Sequence, residues 1–249
     1  GDITVQSSAS GDAVGIGAAV SSDVTVSGLG NLSVYALDLT AGGPLGDATG
    51  IGAADNSHVL VSMEGNIRVE TKDGDAAGAV ALEGSNTELL MAGGNIGVYS
   101  TIAGDSDGIM AEGSSDVTVT GLNDLEIRAM TGDASGITAI GYSSADVSMT
   151  GEINVGTISG DATGVRAEDN SYAILRMDAD KTDNDIIVRT NEGNAYGMVA
   201  SGDSDIVFEN VRDLVVSTAS GDAYGLFAND PSTISGDVES ITVTASGNA

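Results

Sequence analysis

The chain has 249 residues, of which 37 are Asp or Glu and 8 are Lys or Arg, giving a formal net charge of −29. Such a surface repels phosphate backbones and anionic headgroups, which argues against nucleic acid and membrane surfaces as partners and favours cations. With 36 Gly, 2 Phe, no Trp and no Cys, the chain lacks both the rings of an ordinary globular core and any disulfide or thiol site.

The first element is the stretch GDAVGIGAAVSS, residues 11–22, and it returns as GDATGIGAADNS at 46–57. Units begin at Gly11, Gly46, Gly74, Gly104, Gly132, Gly160, Gly193 and Gly221, with a ninth starting at Gly247. Four of the seven complete spacings are 28 residues and the others are longer, so the unit is 28 residues with insertions. The fifth position is Gly in all eight copies, the eighth is Ala and the twelfth is Ser. The second is Asp12, Asp47, Asp75, Asp105, Asp133, Asp161 and Asp222, broken only by Asn194.

Within a unit the apolar residues alternate: Ile16 with Ala18, then Val24 with Val26, then Leu32, Val34 and Ala36. Period two predicts three short strands per unit, near GIGAA, DVTVS and LSVYA, each with one face inward and separated by Gly, Ser, Asp and Asn turns. Three strands turning in 28 residues predict one rung of a parallel β-helix. The expected fold is all-β, a right-handed parallel β-helix (β-solenoid) of about eight three-stranded rungs, the hand following the general crossover preference. Like residues then stack about 4.8 Å apart, and eight rungs make a rod about 40 Å long. Residues 1–249 form a single solenoid domain. Both ends fall mid-pattern without a polar cap, so the chain is expected to continue into a longer solenoid or to pair with its own copies end to end as a filament.

The phrases GDAYGLFAN, GNAYGMVAS and SDVTVSGLGNLSVYA resemble the repetitive β-helical passenger regions of bacterial autotransporters and filamentous surface adhesins. The resemblance covers essentially the whole chain. It implies an extracellular or bacterial cell-surface rod that holds an adhesive or effector part away from the cell, with a ligand on a host or neighbouring cell as a candidate partner. It carries over no site residues. That the module is structural or adhesive and not an enzyme is expected from the invariant columns, which are structural types (Gly, Ala, Ser, turn Asp), with no exceptional polar cluster in any one rung.

The Asp column is the sharpest chemical signal. In register, its carboxylates lie about 5 Å apart and repel. Either each Asp closes its own turn by accepting backbone N–H bonds, or Ca²⁺ is held between rungs by carboxylates and carbonyls. A second cluster, DADKTDND at residues 178–185, supplies Asp178, Asp180, Asp183 and Asp185 as further calcium candidates or as a solvated loop. It lacks the central Gly of an EF-hand and has Arg189 where the last Glu belongs. The other long insertion, TAGGPL at residues 40–45, carries no chemistry.

A carbohydrate-active β-helix enzyme is the alternative from a different class. It would need acids and bases converging in one cleft, and the best basic cluster in sequence is Arg166, Arg176 and Arg189. The lone His58 reads as a turn residue. Tyr196 and Tyr224 share the fourth position of consecutive units and are expected to stack, either as cross-rung packing or as a small sugar platform.

Overall fold

The computed structural model describes residues 1–7, 11–37 and 46–247. Every regular element among them is a strand, and every pairing is parallel between like positions of successive units, as in Ala53 opposite Ala81 and Ala81 opposite Ala111. The chain is a parallel β-solenoid of about eight turns.

Three faces enclose the core. The first face runs through Ala13–Ala18, Ala48–Ala53, Ala76–Leu82, Ser106–Glu112, Ala134–Ile140, Ala162–Glu168, Ala195–Ser201 and Ala223–Ala228. The second is formed by Asp23–Leu29, His58–Met63, Asn86–Met91, Asp116–Leu122, Ser144–Met149 and Tyr172–Met177. The third is formed by Ile3–Ser7, Leu32–Ala36, Ile67–Thr71, Ile96–Ser100, Leu125–Thr131, Ile153–Ser159 and Ile186–Glu192. The expected three-strand rung fails only at the end. There Asp205–Ser220 and Thr233–Thr244 each run unbroken from second face to third. In the first of these the corner sequence ENVRD has no Gly, and Asn210 takes the left-handed conformation (φ 60°) within a bulge instead.

Inside, like side chains form lengthwise files. Leu32, Ile67, Ile96, Leu125, Ile153, Ile186 and Leu214 make one such file, all essentially inaccessible. Each side chain of this size stabilises the fold by about 1.5–3 kcal/mol on burial. The fifth-position glycines exist for close approach. A Cβ on Gly136 would stand 2.5 Å from the Gly164 carbonyl oxygen and 3.1 and 3.2 Å from methyls of Val155 and Ile153. Since the third face lies against the first at this point, no larger residue fits.

That glycine also bends the first face. The strand Ala134–Ile140 places Ala134, Gly136, Ile137 and Ala139 inward, so two consecutive residues, Gly136 and Ile137, break the alternation. Either side of the break, Ser135 and Thr138 point outward. In its middle rungs some outward residues of this face are covered, Val80 being 4% exposed and Thr138 3%, while Val14 in the first rung is 50% exposed. The outer surface is therefore a trough along the rod.

Candidate functional site

Three corners join the faces, and each is closed by side chains reaching to the next rung. At the corner entering the first face, the Asp47 N–H donates to Asp12 Oδ1 (3.1 Å), Asp75 to Asp47 (2.9 Å), and Asp105, Asp133 and Asp161 each to the Asp before (2.8 Å). Asn194 continues the series, donating to Asp161 Oδ1 at 2.7 Å and accepting from Asp222 at 3.1 Å. The expected own-rung turn is thus corrected: the carboxylate serves the following rung. Asn substitutes freely because only an acceptor oxygen is needed.

The twelfth-position serines do the reverse. The N–H of Ser85 donates to Ser115 Oγ and that of Ser115 to Ser143 Oγ, each at 3.1 Å, and the series runs from Ser22 to Ser232. Two consecutive left-handed residues precede seven of these eight serines, such as Val20 and Ser21, or Gly141 and Tyr142, whereas Asp230 and Pro231 precede Ser232. A third ladder, at the corner entering the third face, was not foreseen: Asn31 donates to Asp2, Asn66 to Asn31, Asn95 to Asn66, Asp124 to Asn95 and Glu152 to Asp124, at 2.7–3.2 Å. The GN dipeptide before LSV, IRV and IGV was its visible signal.

The insertion distributes its acids. Asp178 Oδ1 accepts the Asp180 N–H at 3.1 Å, Asp185 is ion-paired with Arg212 at 2.6 Å, and Asp183 is exposed. Among the described residues no three His, Asp or Glu side chains form a group able to hold a metal ion. Residues 40–45 lie outside the described residues.

Two outward files of side chains line the trough. One outward file runs Val14, Thr49, Ala77, Asp107, Ser135, Thr163, Tyr196, Tyr224, and the other Gly17, Gly52, Val80, Met110, Thr138, Arg166, Val199, Phe227. Its first rungs form an apolar hollow around Val14, Gly52 and Val80. Its last rungs form a polar recess of about 280 Å³ around Thr163, Arg166, Glu168 and Tyr196. Tyr196 and Tyr224 stack as expected, with centroids 5.3 Å apart and planes 8° from parallel, and Phe227 leans on Tyr224 at 56°. Arg166 pairs with Glu168 at 2.6 Å, while Arg166 Nε and Thr138 Oγ1 are buried without partners.

Between the hollow and the recess sits Asp107. Burial, with Asp105 and Asp75 nearby, pushes its carboxyl up to about 7 against a hydrogen bond from Ser135 and the Arg166 charge. Burial also raises Asp105, against the N–H bond from Asp133. The basic trio read from sequence does not converge. Arg166 points out of the first face, Arg176 out of the second, where it pairs with Asp146, and Arg189 out of the third. His58 lies outward on the second face opposite Asp23 and Asn86, with Nε2 unpartnered.

Set against family models, curated proteins and solved structures, the chain matches none of them.

Proposed function

We propose that this chain is a non-enzymatic, rod-forming module of a bacterial surface or secreted fibre, which displays the trough of its first face to a ligand on a host or neighbouring cell. The observation that carries the reading is where the repeated polar residues go. Every Asp/Asn of the second position and every Ser of the twelfth joins one rung to another. What the sequence repeats is therefore a shaft, and the unrepeated residues Arg166, Glu168, Tyr196 and Tyr224 are where recognition resides. The resemblance to adhesin passenger regions supports the extracellular setting, and the flat ring pair suits the apolar face of a sugar.

One observation favours an enzymatic second reading: the Asp107 carboxyl, raised by burial to about 7, exchanges its proton near neutral pH, as a general acid does. A single experiment separates the two. The intact chain is passed over immobilised polysaccharides and cell-wall material, and the eluate is analysed for shortened chains. Retention without cleavage is expected, with Tyr196→Ala reducing retention. Time-dependent release of oligosaccharides, abolished by Asp107→Asn, would establish the hydrolase instead.

A further inference from the structure

The third face carries three of the eight basic residues, Arg68, Arg128 and Arg189, each two rungs from the next. Their surroundings differ. Arg68 pairs with Glu70 at 2.7 Å and lies over the Tyr99 ring, 4.5 Å from its centroid. Arg128 faces Glu126 at 3.5 Å, but that carboxylate also accepts the Tyr99 hydroxyl at 2.8 Å, an arrangement that with burial pushes the phenol up to about 12. Arg189 is exposed and, among the described residues, forms no ion pair. In a chain with 37 acids, a guanidinium left without one is the exception that needs a reason.

Gly156 occupies the outward position between Arg128 and Arg189. Having no side chain, it leaves a gap into which the Arg128 guanidinium bends, its Nη1 standing 2.5 Å from where a Cβ would be. Two cations thus border one open recess of about 400 Å³. The rest of its wall combines Tyr99, Ala129 and the exposed side chains of Met130 and Ile158 with the polar Ser100, Thr101, Thr157 and Asn191.

We propose that this recess binds a sugar carrying a single carboxylate, the acid between Arg128 and Arg189 and the C–H face of the ring against Met130 and Ile158. The guanidinium fork matches a planar carboxylate. A polyanion is disfavoured by the −29 net charge, whereas one carboxylate feels chiefly the arginines within a Debye length of about 8 Å. A peptide strand finds no footing, since each strand bordering the recess is already hydrogen-bonded on both sides.

The test is calorimetric titration of the intact chain with glucuronate-terminated and N-acetylneuraminate-terminated oligosaccharides, their neutral parents, and an oligoglutamate peptide. Binding of one or both acidic sugars is expected, without binding of the neutral parents or the peptide, and the two acidic arms identify the source of the carboxylate. Arg189→Gln weakens binding about tenfold or more, the scale of one lost charge-assisted contact. Gly156→Ala, whose Cβ displaces only the flexible Arg128 tip, does the same without lowering the melting temperature. Equal binding of neutral and acidic sugars, absence of binding, preference for the peptide, or full affinity in Arg189→Gln overturns the proposal. Because the recess lies on the third face, its failure leaves the rod and the trough of the first face untouched.

Discussion

The corner that enters the first face and the corner that leaves it solve one problem in opposite directions. At the entry, a carboxylate accepts from the rung that follows it; at the exit, a serine hydroxyl accepts from the rung before. The entry corner is charged and exposed, and the exit corner is neutral and buried, with Ser115 only 1% accessible. Every interface between rungs is therefore closed from both sides, but the two closures differ in what they tolerate. A buried hydroxyl has no substitute when it is lost, whereas an exposed carboxylate has water.

The largest effect removes the geometry on which both corners depend. Gly136→Val drives a side chain into the Gly164 carbonyl and the Val155 and Ile153 methyls, with an expected loss above about 3 kcal/mol, read by chemical denaturation. Next, Ser115→Ala strands the buried Ser85 N–H and costs about 1–3 kcal/mol. A loss no greater than that of Asp133→Ala would remove the distinction between buried and exposed corners. An effect of opposite sign comes from the trough beside the entry corner. Asp107 has its folded value raised to about 7 from an unfolded value near 4, so its penalty is small below about pH 4, grows as pH rises, and is complete above pH 7. Asp107→Asn is expected to raise the melting temperature at pH 8 and to change it little at pH 4, compared by melting at both. The smallest effect belongs to Asp133→Asn. It keeps the acceptor for Asp161, removes repulsion from Asp105 and Asp161, and is expected to change stability by no more than about 0.5 kcal/mol in the stabilising direction. A chelator is expected to leave the midpoint of the native chain unchanged, and a calcium-dependent rise would show that the acidic corner holds ions.

The solenoid was legible because it is written in columns. Recurrence of Gly, Ala and Ser every 28 residues gave the register, and the alternating apolar residues gave the strands. Two things were hidden. The double inward pair at Gly136 and Ile137 breaks alternation without any change in composition, so the trough was invisible. The left-handed corner pairs include Val20 and Tyr142, residues that carry no turn signal and are held there by the Ser ladder that follows. The arginines Arg166, Arg176 and Arg189 read as surface charges and are so placed, since residues within one unit fall on three faces. Arg128 and Arg189 are neighbours in space because they lie two units apart in the chain. In a coil, nearness is measured in turns.

The ladder entering the third face has a mechanical consequence. Bonds between strands run along the rod axis, so an axial pull loads each interface as a whole, backbone and corner bonds together. Among the described residues that ladder ends at Glu152, whose N–H is its last donor. The next junction, with the rung that carries Asp185 and the insertion at 178–185, is clasped by Asp161 on Asp133, by Ser143 on Ser171 and, across the second face, by the Arg176–Asp146 ion pair. A pull along the shaft is thus resisted there by a charge pair in place of the third ladder.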